Sequence, residues 1–350
     1  MICFVISPFM KLIRNILYPF SLLYGFITHV RNYLYDTEVF ESAQFDTPTI
    51  LVGNLSVGGT GKTPQIEYLI HLLQNQYTVA VLSRGYKRKS KGFIIADSGV
   101  TAETIGDEPF QYYQKFTKLI VSVDADRVNG IEQLEQLKNP PELVLLDDAF
   151  QHRKVKGGLN ILLTTFNDLY IDDKMLPTGN LRENTKGAKR AQVIIVTKCP
   201  SNLSEEEQFK ITQKLNPTLF QKVFFTTIEY DNKLKGFETV NLSELENKEV
   251  LLITGIANPT PLIDFLSSKS IKFNHLKYPD HHQFSDKEIA EIKEQQSNNK
   301  IVLTTEKDYV RIFARLKKIY FISIKTKFLN HSNDFDNLIK KYVEQSSRNG

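Results

Sequence analysis

Residues 49–65, TILVGNLSVGGTGKTPQ, constrain the fold of this chain more than any other stretch. An apolar, β-branched run at Thr49–Val52 leads into a loop with four glycines, and a helical pattern begins at Lys62. A strand, a glycine-rich loop and a helix in this order surround phosphate oxygens with backbone N–H groups and the positive end of the helix. The stretch therefore predicts a nucleoside-triphosphate site.

The side chains of this loop have distinct expected roles. Lys62 extends to the terminal phosphates, and the Thr63 hydroxyl coordinates Mg²⁺. We expect the nucleotide to contact Ser56, Gly58, Gly59, Thr60, Gly61, Lys62 and Thr63. Ser56 stands where the strict GxxxxGK[ST] pattern has glycine, and the other glycines compensate for it. A glycine-rich connector without a chemical role is the alternative, which the strand-to-helix context disfavours.

Short apolar runs alternate with helical patterns over residues 46–227. The runs have the continuous hydrophobicity of strands that are buried on both faces. This alternation predicts an α/β fold, with a P-loop NTPase-type parallel sheet wrapped by helices. Ligands of such sheets bind at the carboxyl ends of the strands, where the P-loop lies. The predicted strands are Val79–Ser83, Leu119–Val123, Leu143–Leu146, Asn160–Leu163, Val193–Thr197 and Val223–Ile228.

One of these strands ends in two acids, in the sequence LVLLDDAFQHR at residues 143–153. Asp147 and Asp148 would lie beside the P-loop, where carboxylates can hold Mg²⁺ directly or through water. Two solvated turn aspartates are the alternative. Arg153 is a candidate phosphate partner, whereas His152 alone is weak evidence of function.

Length, charge and cysteine content limit the class of protein. A chain of 350 residues favours two domains. A net charge of +4 argues against a protein that coats nucleic acid. Cys3 and Cys199 are too few for a disulfide framework, which fits a reducing, cytoplasmic setting. We predict an N-terminal segment at 1–35, a nucleotide- and substrate-binding α/β domain at 36–228 and a smaller α/β domain at 229–350.

The N-terminal segment, residues 1–35, is apolar, and Lys11, Arg14 and Arg31 are its only charged residues. Its longest uncharged run, residues 15–30, has 16 residues, fewer than the roughly 20 that span a bilayer. We therefore predict an interfacial helix that lies in the cytoplasmic leaflet with its cations near anionic headgroups. A helix that packs its apolar stripe on the protein's own core is the alternative.

Eight motifs, in order, resemble the tetraacyldisaccharide 4'-kinase family from the N-terminal segment to about residue 325. Ala149 stands where the family has glycine in DDGFQHR, and the TGN sequence around residue 179 is a local variant. The motifs are SVGGTGKTP (56–64), LSRGY (82–86), GDEP (106–109), DDAFQHR (147–153), LPTGNLRE (176–183), GIANP (255–259), YPDHHQF (278–284) and TTEKDYVR (304–311).

The resemblance implies an enzyme that uses ATP and Mg²⁺ at the cytoplasmic face of the bacterial inner membrane, as a peripheral or monotopic protein. It would phosphorylate the 4'-hydroxyl of tetraacyldisaccharide 1-phosphate, the lipid A disaccharide precursor, and so make lipid IVA for lipopolysaccharide. Neither nucleic acid nor an obligate protein partner is expected. A regulatory or metallochaperone-type P-loop NTPase that acts on a protein partner is the alternative, followed by a membrane-bound nucleotide-binding scaffold.

The resemblance also implies roles for residues outside the P-loop. Asp107 would accept the proton of the 4'-hydroxyl, and His281 would orient it. If Asp107 belongs to the first domain and His281 to the second, the active site lies between them and catalysis requires domain closure. Without the resemblance, GDEP predicts only a helix start, and a metal site at residues 280–282 lacks further ligands at a sensible spacing. No specific role follows for residues 305–311 beyond capping or ion pairing.

Substrate contacts are expected from arginines and one glutamine. The resemblance implies that Arg127, Gln151 and Arg182 line the disaccharide and phosphate site. Residues 83–92, SRGYKRKSKG, carry five cations that include Arg84 and predict a basic hairpin loop. A solvated charge run is the usual interpretation, but such a loop can also contact an anionic membrane surface or the substrate's 1-phosphate. It lacks the interleaved aromatic residues of a nucleic-acid platform.

Overall fold

The computed structural model describes residues 14–297 and 300–347. The strands are β1 (Thr49–Asn54), β2 (Val79–Ser83), β3 (Ile94–Ile95), β4 (Ile120–Val123), β5 (Leu143–Asp147), β6 (Leu159–Thr165), β7 (Val193–Thr197), β8 (Lys222–Gly236), β9 (Val240–Asn241), β10 (Val250–Thr254), β11 (Phe273–Lys277), β12 (Ile301–Thr305) and β13 (Ile319–Phe328).

The α-helices fall between these strands and at the two ends of the described chain. They are α1 (Tyr18–Asp36), α2 (Lys62–Leu73), α3 (Ala102–Ile105), α4 (Asp107–Lys115), α5 (Arg127–Glu135), α6 (Glu205–Leu215), α7 (Thr260–Ser268), α8 (Asp286–Ser297), α9 (Glu306–Ile312) and α10 (Ser332–Ser347). Short 3₁₀ turns lie at Tyr170–Asp172, Thr185–Arg190 and Leu242–Leu245.

The chain forms two compact units that are not contiguous in sequence. The first contains residues 14–84, Lys118–Thr227 and residues 327–347, and the second contains Gly85–Thr117 and Ile228–Thr326. The contiguous division at residue 228 that the sequence predicts differs from this one in two places. The segment that carries Asp107 belongs to the second unit, and the C-terminal helix belongs to the first.

The first unit contains a parallel sheet in the order β8-β7-β6-β1-β5-β2-β4, as the buried apolar runs predict. β1 pairs with β5 on one side and β6 on the other, and Val52 lies opposite Asp147. Because parallel strands end at the same sheet edge, this register brings the start of the P-loop and the acid pair to one place. The predicted fold class is confirmed.

Helix ends in both units follow from local capping. The Ser-x-x-Glu spacing at residues 204–207 predicts a capping box at α6. In the structure the side chains of Ser204 and Glu207 each accept a hydrogen bond from the other residue's backbone N–H. Ser285 and Glu288, which have the same spacing in the sequence, make the same reciprocal pair at α8. The predicted hairpin at residues 83–92 is wrong, because β2 pairs in parallel with β4 and β5 and the basic segment is a connection.

Helix α1 is amphipathic in an unusual sense, because its polar side faces the protein. The Ser21 hydroxyl donates to the Thr178 hydroxyl at 2.6 Å, and the Tyr24 hydroxyl donates to the Arg182 carbonyl at 2.9 Å. Asn32 donates to the Glu183 carboxylate at 2.9 Å. The opposite side is exposed and apolar, with Phe20, Leu22, Leu23, Phe26, Ile27 and Val30.

For the described part of this helix, the alternative that it packs an apolar stripe on the core is therefore wrong. Residues 1–13 of the predicted N-terminal segment lie outside the described residues. Within the described ranges, no helix has the length and hydropathy needed to cross a membrane.

The second unit contains a smaller parallel sheet in which β11, β10, β12 and β13 are neighbours. Its core lies on both faces of β10, where the successive residues Leu252 and Ile253 belong to different apolar clusters. Apolar runs in the sequence predict each of these strands, at Val250–Thr254, Ile271–Leu276, Ile301–Leu303 and Ile319–Ile324. Thr305 caps α9 with a side chain that accepts the Asp308 N–H, which places the charged residues of that helix directly after β12.

The C-terminal helix α10 completes the core of the first unit through one aromatic side chain. Phe335 is fully buried, and its ring centroid lies 4.7 Å from that of Phe328 and 5.3 Å from that of Phe224.

We predict that Phe335→Ala lowers the free energy of unfolding by about 3–5 kcal/mol, the usual cost of such a cavity. Urea unfolding followed by circular dichroism measures this. Phe220→Ala, at a residue 89 % exposed, is the matched control and should change it by less than about 0.5 kcal/mol.

Candidate active site

The P-loop of the first unit has the backbone conformation that its glycines predict. Gly58 and Gly61 have φ of +116° and +87°, in the left-handed region that side chains with a Cβ rarely adopt. The Thr197 hydroxyl at the end of β7 donates to the Thr60 carbonyl at 2.7 Å and holds the loop from behind. The buried Thr60 hydroxyl has no hydrogen-bond partner among the described residues, so it is available to a ligand.

Lys62 and Asp148 lie together at this sheet edge. The Lys62 Nζ is 3.5 Å from the Asp148 Oδ1 and 3.4 Å from the side-chain oxygen of Asn54, the last residue of β1. Arg182 is on the other side of the same carboxylate, with Nη2 2.9 Å from Oδ1 and Nη1 3.4 Å from Oδ2. Asp148 is thus shared between two cations from distant parts of the sequence.

These cations decide the protonation state of Asp148. Burial raises the pKa of its carboxyl, but the charges and hydrogen bonds of Lys62 and Arg182 outweigh burial and lower it to about 2. The residue has a positive φ of 48°, which turns the chain sharply after β5. Asp148 is therefore an ionised carboxylate at neutral pH, while Asp147 before it is buried at the strand end.

Arg127 lies behind the site rather than in it. Its side chain is 2 % exposed and donates to the backbone carbonyls of Asp124 and Asp147, which tie the ends of β4 and β5 together. Burial lowers the pKa of its guanidinium to about 10, so it is still charged at neutral pH. Arg153, the candidate phosphate partner, pairs instead with Asp36 at 2.7 Å.

The other predicted substrate residues line one cavity of about 230 Å³ in the first unit. Arg84, Gln151 and Arg182 lie there with Asp148, and α1 adds residues that the sequence does not single out. Burial and the charges of Arg127 and Arg84 lower the pKa of His152 to about 4, so this histidine is neutral at pH 7. The lining is Tyr24, Thr28, Arg31, Arg84, Asp148, Gln151, His152 and Arg182.

Several buried polar atoms of this cavity have no hydrogen-bond partner among the described residues. They are the Gln151 Oε1 and the Nε atoms of Arg31 and Arg182. Unpaired buried polar groups are costly, and their concentration at one cavity indicates a place for a polar ligand. Because three arginines outnumber the single aspartate, the cavity suits an anion.

Asp107 and His281 come together in the second unit. Asp107 is the first residue of α4 and follows Gly106, whose φ of +97° turns the chain into the helix. The His281 Nδ1 lies 3.0 Å from the Asp107 Oδ2. A site between the predicted domains would require these two residues to belong to different domains. In the structure both belong to this unit, so the requirement is not met.

Arg311 also contacts Asp107, through Nε and Nη2 at 2.8 and 2.7 Å from Oδ2. Burial raises the pKa of Asp107, but hydrogen bonds and charges from His281 and Arg311 outweigh it, so the pKa is below its ordinary value. Asp107 is an ionised carboxylate at a helix N-terminus, where the helix dipole also favours a negative charge. It is charged and held in place, as a base for a hydroxyl proton must be.

The donors near the P-loop fit a nucleotide-bound Mg²⁺. No group of three or more His, Cys, Asp or Glu side chains that could hold a metal occurs in the part of the chain that the structure describes. Magnesium in nucleotide sites is held by one or two carboxylates with the phosphates, so a complete protein cage is not needed. The ionised Asp148, the buried Asp147 and the Thr63 hydroxyl are oxygen donors of this kind.

Sequence reasoning did not identify four residues of these clusters. The sequence contains a signal for two of them. Asn54 is the last residue of the strand before the P-loop, and Arg31 is one of the few cations of the N-terminal segment. Glu183 is fully buried and accepts hydrogen bonds from Gln151 and Arg190. Glu183 and Arg311 lie in motifs of the resemblance, but no spacing rule predicts their partners.

The central strand of the parallel sheet leads into a glycine-rich loop, Lys62 and Thr63 follow this loop, and a carboxylate lies opposite it. These features define a P-loop nucleotide-binding protein. A family model described as tetraacyldisaccharide-1-P 4'-kinase matches residues 13–344, and the chain belongs to this family.

Individual members of this family are similar in sequence to the chain over nearly their whole length. The chain is 52 % identical to the tetraacyldisaccharide 4'-kinase of Flavobacterium johnsoniae over 96 % of this chain and 99 % of the relative. It is 53 % identical to that of Flavobacterium psychrophilum over 97 % and 100 %. A crystal structure of LpxK from Aquifex aeolicus in complex with ATP is similar with a TM-score of 0.76 and 32 % identity, over 95 % of this chain and 99 % of that one.

We predict that Lys62→Ala raises the Kd for ATP by about 10- to 100-fold, since it removes one charge-assisted contact to the phosphates. Titration with a fluorescent ATP analogue measures this. Lys89→Ala is the control, because Lys89 is an exposed lysine paired with Glu103. An unchanged Kd in Lys62→Ala would contradict the assignment of the loop.

Proposed function

We propose that this protein transfers the γ-phosphate of ATP to the 4'-hydroxyl of tetraacyldisaccharide 1-phosphate, the lipid A disaccharide precursor. Membership of the tetraacyldisaccharide-1-P 4'-kinase family over residues 13–344 is the observation that carries this proposal. The site supports it, because the first unit has a P-loop and an arginine-lined cavity and the second has an ionised carboxylate paired with a histidine. The alternative of a regulatory NTPase with a protein partner is not favoured.

The first unit provides the nucleotide-binding half of the reaction in this proposal. The backbone N–H groups of the P-loop and the Lys62 ammonium bind the phosphates, and Thr63, Asp147 and Asp148 would hold Mg²⁺. Bound Mg²⁺ supplies positive charge that offsets the charge on the transferred phosphoryl group. Lys62 now contacts Asp148, so phosphate oxygens would replace or share that carboxylate as its partner.

Asp107 acts as the base in this proposal. Its Oδ2 is occupied by His281 and Arg311, and the described residues offer no hydrogen bond to Oδ1. Oδ1 would accept the hydroxyl proton as the 4'-oxygen forms its bond to phosphorus and the bond to ADP breaks. His281 then fixes the orientation of the carboxylate.

The arginine-lined cavity would hold the anionic acceptor. Arg31, Arg84 and Arg182 offer guanidinium groups, which suit phosphate oxygens, and the unpaired Gln151 Oε1 suits a sugar hydroxyl. Since α1 lines this cavity with Tyr24 and Thr28, the acceptor would meet the helix that carries the exposed apolar face.

We further propose that this apolar face of α1 lies in the cytoplasmic leaflet of the bacterial inner membrane. The face is large, exposed and made of aliphatic and aromatic side chains, which is typical of helices that insert at an interface. The polar side of the helix is already occupied by contacts to the protein. A tetraacylated substrate resides in a membrane, so such a position brings the enzyme to it.

We predict that Asp107→Asn lowers lipid phosphorylation by about 10²-fold or more, because the base is lost. Transfer of labelled γ-phosphate to tetraacyldisaccharide 1-phosphate in mixed micelles measures this. Since the wild-type pKa of Asp107 is lowered, the pH profile of kcat should show no ionisation of this base near neutrality. Asp286→Asn, at a fully exposed carboxylate of the same unit, is the matched control. ATP hydrolysis without lipid phosphorylation, equal in wild type and Asp107→Asn, would refute the kinase proposal.

We predict that Phe20→Ser with Phe26→Ser lowers binding to vesicles of phosphatidylethanolamine and phosphatidylglycerol by about 10-fold or more, since two aromatic side chains no longer enter the bilayer. Vesicle co-sedimentation measures this. Phe209→Ser with Phe220→Ser is the control, because it removes two rings outside α1 that are 61 % and 89 % exposed. Equal binding by the two double variants would contradict the assigned membrane face.

A further inference from the structure

Helix α9, with the preceding Thr305, carries the motif TEKDYVR, to which the sequence assigns no specific role. In the second unit this helix directs Arg311 at Asp107, and the Arg311 side chain is only 2 % exposed. A buried guanidinium is costly unless its donors are paired, so this burial needs an explanation.

We infer that Arg311 is a positioning residue, which fixes one oxygen of Asp107 and so leaves the other oxygen for the acceptor hydroxyl. This inference rests on the proposed role of Asp107 as the base of the kinase reaction. Arg311 would act through Asp107 and would not itself touch the reacting atoms.

The hydrogen bonds to Asp107 are strongly unequal. Oδ2 accepts from the Arg311 Nε and Nη2 at 2.8 and 2.7 Å, and the His281 Nδ1 lies 3.0 Å from Oδ2 and 3.0 Å from the Arg311 Nη2. Two donors fill the lone pairs of a carboxylate oxygen, and here both belong to one rigid guanidinium plane. Oδ1 accepts no hydrogen bond from the described residues, and the Asp107 side chain is 14 % exposed. The arrangement therefore selects Oδ1 as the oxygen that is open to a substrate.

Arg311 is itself held by a buried acid. Its Nη1 donates to the Asp308 Oδ1 at 2.9 Å, and Asp308 is completely buried. The other oxygen of Asp308 accepts the Gly255 N–H at 2.9 Å and the Thr305 hydroxyl at 2.7 Å. A side chain at residue 255 would crowd this acid, because a Cβ there would lie 2.9 Å from Asp308 Oδ1. The guanidinium plane is thus fixed on both sides.

Two further ion pairs join α9 to α4, the helix that begins with Asp107. Lys307 Nζ lies 3.0 Å from Glu108 Oε1, and Lys115 Nζ lies 3.0 Å from Glu306 Oε1. Phe110 and Phe313 add an aromatic contact with ring centroids 6.2 Å apart. The support for Asp107 is therefore a pair of helices joined by ion pairs and an aromatic contact, and such packing favours precise positioning.

Arg311 also affects the ionisation of Asp107. Burial raises the pKa of this carboxyl, and His281 and Arg311 together lower it below its ordinary value. The other charged groups nearby are Glu108, Lys307 and Asp308, which pair among themselves and with Arg311. Removal of the Arg311 charge should therefore raise the pKa of Asp107, and the acid limb of the kcat profile should move to higher pH.

The test compares Arg311→Gln and Arg311→Lys with Arg315→Gln and Arg315→Lys. Arg315 is the matched control, because it belongs to the same unit and pairs with the exposed Asp286. We expect kcat for lipid phosphorylation to fall by about 10²-fold in Arg311→Gln and by about 10-fold or more in Arg311→Lys, with the Kd for ATP unchanged. The acid limb should move only in Arg311→Gln, since lysine keeps the charge.

The Asp107→Asn background separates this inference from the proposed function. If Arg311 acts through Asp107, Arg311→Lys should cause no further loss of kcat in that background. Arg311→Lys decides the case if Arg311→Gln does not fold. Arg311 variants that behave like the Arg315 variants, while Asp107→Asn is inactive, would overturn the inference alone. Full activity of Asp107→Asn would instead refute the proposed base.

Discussion

The parallel register of β1 and β5 is the constraint on which the nucleotide-binding half of this protein depends. Val52 lies opposite Asp147. The end of β1, which leads into the P-loop, and the end of β5, which carries the acid pair, therefore lie side by side at one edge of the sheet. A shift of one residue would turn every side chain of a strand to the other face of the sheet. Hydrophobic side chains buried on both faces maintain the register, and the charged residues of the site depend on an apolar core.

Charge balance then determines how the polar residues are arranged. In the first unit Asp148 is shared by Lys62 and Arg182, and in the second Asp107 is shared by His281 and Arg311. In both places cations lower the pKa of an acid at the end or start of an element. The two carboxylates are consequently ionised at neutral pH before any ligand arrives.

Much of the fold could be predicted because its strands are locally encoded. Val79–Ser83, Val193–Thr197 and Val250–Thr254 have the predicted bounds, since buried parallel strands are continuous apolar runs. The units could not be predicted, because Gly85–Thr117 packs with segments that follow far later in the chain. The motifs indicate which residues belong to the candidate site, but the partners of Glu183 and Arg311 depend on tertiary geometry. Composition also could not decide which side of α1 faces the protein.

The inward polar side of α1 limits how this protein can be made easier to handle. A shortened chain that begins after the helix would leave the buried Glu183 without the amide of Asn32 and would remove the Tyr24 and Arg31 wall from the cavity. Truncation would therefore remove the exposed apolar side chains but damage the site. Exchange of outward residues such as Leu23 and Ile27 for polar ones leaves every inward hydrogen bond in place. The exposed apolar surface and the support of the site lie on opposite sides of one helix and can be altered separately.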